Sequence, residues 1–273
     1  MLGSILEAAL GYGESLQRVD ALPRDGCNDF GFDPFGYSPD FVRQVAPFAL
    51  FLYRTYFRTE VFGIERVPPG RVLLVGNHSG QIPIDGLIVS AAMLVEPSRP
   101  RMLRSMVEKW VPNLPFVSWF LARTGQVVGT PDNCVRLLER GEAILVFPEG
   151  SRGISKTFAN RYRLEEFGHG FMRLALQTQT PIVPVAVIGA EEQYPSLHNS
   201  RTIAHLIGAP AFPLTITPVP LPVRYRLHFG DPMTFSGDAD EEERHLDLKI
   251  KSVRSALQAL IHHGLRGRRH VFW

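Results

Sequence analysis

Val72-Leu73-Leu74-Val75-Gly76-Asn77-His78-Ser79-Gly80, running on to Ile82-Pro83-Ile84-Asp85-Gly86, is the stretch on which the fold turns. Four apolar residues in a row, without alternation, suit a short strand covered on both faces, the habit of parallel sheets flanked by helices. The run ends in glycine and polar side chains. Asp85 then opens a helical pattern over residues 87–95. Two more buried runs follow the same rule, at residues 143–147 and 182–188. Between them lie helical patterns. Residues 112–122 are rich in proline and aromatics, and Thr130-Pro131 starts a helix with Cys134, Leu137 and Leu138 on one side and Gly141 closing it. Residues 126–128 fit a short strand, and residues 223–229 alternate like one. Residues 241–261 carry Leu246, Ile250, Val253, Leu257 and Leu260 at helical spacing. Residues 195–222 are proline-rich and favour no element. Strands alternating with helices predict an α/β fold with a mainly parallel central sheet flanked by helices.

Upstream, residues 21–37 read as a loop, and Ser38-Pro39-Asp40 as an N-cap followed by proline at the first helical position. The helix it opens reaches about residue 57 and displays Phe41, Val45, Phe48, Phe51, Leu52, Tyr53 and Tyr56, with Arg54 and Arg58 at one end. An aromatic face with cations beside it suits a bilayer interface; the same face can equally pack on the sheet. Residues 1–20 have the look of a short amphipathic helix, without the basic start, apolar middle and cleavage site of a secretory signal. The organisation expected is an N-terminal helical region over 1–58 that docks on a membrane, and an α/β domain over 59–273, together one structural unit. The longest apolar run, residues 45–53, stops at Arg54, well short of the roughly 18 residues a spanning helix needs. The chain is expected to lie on a bilayer, on its cytoplasmic inner face, without crossing it.

Composition removes several function classes. Among 273 residues, 29 Lys and Arg face 27 Asp and Glu, a net charge of +2. Nucleic-acid binders are usually more basic, and no stripe of cations interleaves with aromatics. Cys27 and Cys134 form no metal or redox pattern, as expected of a reducing compartment. No G-x-G-x-x-G follows the first strands and no Walker loop is present.

Open α/β sheets gather their chemistry where strands end and loops cross to helices. At the first such end stand Asn77 and His78, with Asp85 at the start of the next helix. An imidazole there can take a proton from an attacking hydroxyl, and a carboxylate on its other nitrogen fixes the tautomer. His78 as a turn histidine and Asp85 as a helix cap is the plain alternative. The second end is Phe147-Pro148-Glu149-Gly150-Ser151-Arg152-Gly153. Here glycine lets backbone N–H groups approach an anion, Glu149 can bond substrate hydroxyls, and Arg152 can pair with phosphate. A polar turn with a surface arginine is its plain reading. Ser79, beside His78, sits in no nucleophile elbow of the G-x-S-x-G kind.

Asn77-His78-Ser79-Gly80 with a downstream Asp, then Phe147-Pro148-Glu149-Gly150-Ser151-Arg152-Gly153 about seventy residues later, then Thr180-Pro181-Ile182-Val183-Pro184-Val185, together resemble the glycerolipid acyltransferase family that includes lysophosphatidate acyltransferases. Phe229-Gly230-Asp231-Pro232 resembles the family's ending. The resemblance implies His78 as general base and Asp85 as its partner. It implies Asn77, Ser79, Gly80, Glu149, Gly150, Ser151 and Arg152 as substrate-binding residues, with Pro184 shaping an acyl pocket. Oxyanion donors would be backbone N–H groups near Gly150 or in the Ser79-Gly80 loop. It also implies an acyl thioester donor, acyl-CoA or acyl carrier protein, a lipid acceptor on a membrane surface, and neither metal nor cofactor.

Two departures stand out. The family's His and Asp have four residues between them, whereas His78 and Asp85 have six. Where the family's second block carries an Arg for acceptor phosphate, this chain has Gly125-Gln126-Val127-Val128-Gly129-Thr130 and then Pro131. That form is closer to the diacylglycerol acyltransferase and phytyl ester synthase-like branch, whose acceptors are neutral alcohols. Arg123, Arg161 or Arg163 can stand in for the missing cation. The acceptor expected is a glycerolipid hydroxyl such as that of lysophosphatidate, with diacylglycerol or a long-chain alcohol as the alternative. A hydrolase of the same fold and a non-catalytic lipid-binding module remain as competing classes.

Overall fold

The computed structural model describes residues 12–78, 84–199 and 213–272. Seven strands form the central sheet: β1 (Glu60–Phe62), β2 (Val72–Gly76), β3 (Leu103–Val107), β4 (Val127–Val128), β5 (Ala143–Val146), β6 (Ile182–Ile188) and β9 (Arg226–Phe229). Their order is β1-β9-β6-β2-β5-β3-β4. β6, β2, β5, β3 and β4 run parallel, and β9 turns antiparallel to β6, carrying β1 with it. β7 (Ser196–Asn199) and β8 (Pro213–Thr215) make a separate antiparallel pair within the segment where the sequence favours no element.

The uniform apolar character of the middle strands has its cause in two helical layers. Val72 and Leu74 belong to one core cluster, Leu73 and Val75 to the other, because successive side chains point to opposite faces. The first layer holds α1 (Gly13–Asp20), α2 (Pro39–Leu50) and α3 (Ile84–Val95); the second holds α5 (Pro131–Glu139), α6 (Gly170–Thr178) and α7 (Glu243–Arg266). A shorter helix, α4 (Val117–Arg123), links β3 to β4. Ser38 caps α2 by accepting from Phe41 N, and Thr130 caps α5 by accepting from Asn133 N. Gly141, at φ +76°, closes the turn into β5 as the sequence implies.

α2 does not end at Leu50 but widens into a π-helical turn over Phe51–Tyr56. Pro47 inside it has no N–H to give, and the following turn re-forms with a longer bond, Phe57 N to Leu52 O at 2.9 Å. The aromatic face divides. Val42, Ala46, Leu50, Tyr53 and Phe57 are buried in the core shared with Leu74, Ile88 and Met93, while Phe48 stays exposed. Among the described residues no helix is long and apolar enough to cross a membrane. The basic end is tied down rather than loose: Arg268 pairs with Glu192, and Arg224 N donates to Val271 O.

β3 is a strand that the sequence does not announce, because Arg104 and Ser105 interrupt its apolar run. Arg104 is fully buried, ion-paired with Asp33 and, at 3.0 Å, with Glu142, and it lies over the rings of Phe35 and Tyr37. This one side chain fastens the 21–37 loop to the sheet.

Candidate active site

Register brings the two loops together. Val75 pairs with Val146 across β2 and β5, so His78 and Glu149, each three residues further on, leave the sheet at the same height. The connection is direct: His78 N donates to Glu149 Oε1 at 3.1 Å.

His78 Nδ1 lies 2.7 Å from Asp85 Oδ2. Asp85, in the first turn of α3, is fully buried, and its other oxygen accepts from Gly86 N at 2.8 Å. A buried carboxylate at that distance holds the proton on Nδ1 and turns the Nε2 lone pair outward. No partner for Nε2 is found among the described residues, and the side chain keeps 15 % of its surface open. The six-residue spacing is therefore compatible with a dyad. The two extra residues fall within 79–83, which lie outside the described residues together with Ser79 and Gly80. Phe147 stacks under the imidazole, centroids 4.2 Å apart and planes at 14°, and sets the ring's tilt.

Asn77, expected to touch substrate, has a different task. Its Nδ2 donates to Val187 O at 2.9 Å and its Oδ1 accepts from Val187 N at 2.8 Å, and the side chain is fully buried. Both ends of the amide are spent extending the β2–β6 pairing by one residue beyond Gly76. No surface of it remains for a ligand.

Glu149 is likewise turned inward rather than towards substrate. Besides His78 N, its carboxylate accepts from Glu165 N at 2.8 Å and meets Lys156 Nζ at 3.1 Å. Lys156 also reaches Glu191 at 3.2 Å, and Glu191 accepts from Tyr162 N at 2.8 Å. All three charged side chains are at least nine-tenths buried. Burial alone would push the Lys156 ammonium down, but Glu191 and Glu149 outweigh it and leave it above its ordinary value. Burial raises the Glu191 carboxyl, with Lys156 pulling against it. Lys156 and Glu191 carry no sequence signal: one sits in a polar segment, the other on a helical turn far along the chain.

At the following turn Gly150 takes φ +55°, and its N–H is used by Phe147 O at 3.0 Å. Amides available to an anion here would be those opening the helical turn Ser151–Ile154. Ser151 O accepts from Ser155 Oγ at 2.6 Å. Arg152 lies at the rim, 54 % exposed, with Nη2 on Glu166 O at 3.0 Å and Nη1 3.5 Å from the Glu166 carboxylate. Gly153 is where the two loops touch: a Cβ there would stand 3.1 Å from the Cβ atoms of both His78 and Glu149. Pro184, level with Val75 on β6, packs on Gly230. Of the stand-in arginines, Arg123 lies over the Phe32 and Trp119 rings, Arg161 over Phe158, and Arg163 reaches Asn160.

A family model described as Acyltransferase matches residues 58–188. An uncharacterized protein of Mycobacterium leprae is 39% identical over 260 residues, covering 90% of this chain and 71% of that one. A mouse (Mus musculus) protein called DGAT1/2-independent enzyme synthesizing storage lipids is 26% identical over 202 residues, covering 74% of this chain and 59% of that one. The crystal structure of the 1-acyl-sn-glycerophosphate (LPA) acyltransferase PlsC from Thermotoga maritima superposes with a TM-score of 0.54 at 17% identity, covering 84% of this chain and 83% of that chain.

Proposed function

This chain belongs to the acyltransferase family, and from that premise we propose that it moves a fatty acyl group from a thioester to a lipid hydroxyl with His78 as general base. The observation that carries the reading is the 2.7 Å contact between His78 Nδ1 and the buried Asp85 carboxylate, at the carboxyl end of the central parallel strands where the Glu149 loop also leaves the sheet.

In the proposed reaction the acceptor hydroxyl lies against His78 Nε2 and gives it a proton while the oxygen attacks the thioester carbonyl. Asp85 stabilises the imidazolium as it forms. Backbone N–H groups after Gly150 would hold the oxyanion of the tetrahedral intermediate, a contact worth about 3 kcal/mol per donor. Collapse breaks the C–S bond, and the imidazolium returns its proton to the departing thiolate. The products are an ester and a free thiol. Glu149 acts as a positioning residue, fixing the His78 backbone while Lys156 neutralises its charge.

Two acceptor classes remain, and one residue separates them. Arg152 supports a phosphate-bearing acceptor: its pairing with the exposed Glu166 is weak, so the guanidinium can swing to a phosphate. Thr130-Pro131 supports a neutral alcohol, since these residues cap and open α5 where the family carries its phosphate-binding Arg. The test is product analysis with a labelled long-chain acyl-CoA offered lysophosphatidate or diacylglycerol. Label in neither ester refutes the proposal. Arg152→Ala raising KM for lysophosphatidate alone identifies the phosphate-bearing class; equal rates with both enzymes on diacylglycerol identify the neutral one.

A further inference from the structure

Residues 109–131 contain no Asp or Glu, yet they hold Lys109, Arg123 and two of the chain's three tryptophans. This segment follows β3 at the same carboxyl end of the parallel strands as His78. Glu108, which precedes it, lies beside the Glu149–Gly150 turn, its Oε1 3.2 Å from where a Gly150 Cβ would stand. The segment is therefore a lip of the site. On it, Phe116, Val117, Trp119 and Phe120 are 87 %, 43 %, 51 % and 40 % exposed.

So dense a run of exposed apolar side chains, at the N-cap and along a seven-residue helix, marks a contact surface. Phe116 also sits at φ +63°, a strained backbone for an aromatic residue, and it presents its ring to water rather than to the core. Phe41 of α2 braces the patch from behind, its ring edge-on to Trp119 and Phe120 at 5.1 and 5.7 Å. Arg123 lies over Trp119 and pairs with no carboxylate among the described residues.

We infer that the lip formed by residues 109–123 inserts into a lipid bilayer and presents the mouth of the site to membrane-resident substrate; this rests on the acyl-transfer reading above. The occupant follows from chemistry. Indole and phenyl rings settle at the headgroup boundary, and Lys and Arg beside them attract anionic headgroups. A segment free of carboxylates meets no repulsion there. The N-terminal helix α2 thus supports the docking element from behind through Phe41, while Val42, Ala46 and Leu50 on its other side are buried in the core.

The experiment is flotation with vesicles of phosphatidylcholine, with and without phosphatidylglycerol. It compares the wild-type chain, Phe116→Ser, and the triple variant Phe116→Ser/Trp119→Ser/Phe120→Ser. Circular dichroism and Tm monitor folding; Phe116→Ser, whose ring contacts no other ring among the described residues, keeps the test valid if the triple variant unfolds. The expected result is binding by the wild type, strengthened by phosphatidylglycerol, and weakened at least about tenfold in the triple variant and measurably in the single one. Acyl transfer to vesicle-embedded acceptor falls in parallel, whereas transfer to a short-chain, monomeric acceptor is retained. Wild-type protein that ignores vesicles, or variants that bind as it does, overturns the inference. So does a triple variant that only converts a dimer to a monomer in light scattering, since the patch would then join two copies. Vesicle binding lost in the triple variant, with no transfer by any protein to any acceptor, upholds docking and refutes the acyl-transfer reading instead.

Discussion

Replacing Lys156 by Met removes the one cation that, among the described residues, sits between Glu149 and Glu191. The methionine fills similar volume, so the effect is electrostatic. Taking one partner from a buried ion pair costs about 3–5 kcal/mol. Here one ammonium serves two carboxylates with no more than 4 % of either exposed, which places the cost at about 4–5 kcal/mol. That is a large part of the roughly 5–15 kcal/mol available to a folded chain, and it corresponds to a fall in Tm on the order of 10 °C. The pH dependence has a definite sign. Burial already holds the Glu191 carboxyl above its ordinary value, and loss of Lys156 raises it further. A folded state that prefers the protonated acid loses stability as pH rises from the unfolded carboxyl value, near 4.5, through the folded one. The deficit of the variant is therefore smaller at pH 5 than at pH 8, growing by about 1.4 kcal/mol for each pH unit that separates the folded and unfolded carboxyl values. Urea unfolding of both proteins at the two pH values measures it. Activity should fall on the order of a hundredfold, because the Glu149 carboxylate anchors the His78 backbone. A variant within about 1 kcal/mol of the wild type at both pH values would refute the reasoning.

Asp85→Asn keeps the shape of the dyad but removes the charge that stabilises the imidazolium; kcat should drop about 10²–10⁴-fold with KM little changed, as steady-state kinetics will report. Gly153→Ala puts a methyl 3.1 Å from the Cβ atoms of His78 and Glu149, so transfer should slow by at least about tenfold while Tm moves by only a few degrees, a split that calorimetry and activity together can read. His228, buried against Phe62 and Gly264, is pushed down to about 4 by burial first and by Arg226 and His263 after it. Its neutral form is the one the fold holds, so it contributes stability above the ordinary imidazole value that is lost as pH falls from about 6.5 towards 4; His228→Gln should flatten that part of the acid unfolding curve.

What the sequence discloses follows from which interactions are local. Unbroken apolar runs announce β2, β5 and β6 because strands covered on both faces need nothing else. Asp85 is readable as the partner of His78 because both sit at the ends of one loop, although the added residues leave their contact undecided until the geometry gives 2.7 Å. β3 is hidden by Arg104, whose burial makes sense only with Asp33 and Glu142 beside it, each distant in the chain. α6 escapes a reading of the sequence because Gly168-His169-Gly170 at its start resembles a loop, and its apolar side is needed only once the second layer exists. Asn77 and Glu149 look like ligand-binding groups because polar side chains at strand ends usually face the cleft. Their inward turn depends on Val187, Glu165 and Lys156, partners that no local pattern could name. The aromatic face over residues 41–56 is legible in the sequence, but how it divides is not: Tyr53 is buried, Phe51, Leu52 and Tyr56 are partly covered, and Phe48 stays exposed, because the neighbours that cover them come from distant helices and strands.

The central claim is that His78 Nε2 accepts the acceptor's proton. Its most direct test is the rate of acyl transfer by purified His78→Ala, on saturating acyl-CoA and lipid alcohol, beside the wild type and with folding checked by Tm. The place of His78 at the end of β2, outside the apolar core, predicts an intact fold and a rate lower by about 10²–10⁴-fold. Transfer continuing at close to the wild-type rate would contradict the account and require another base.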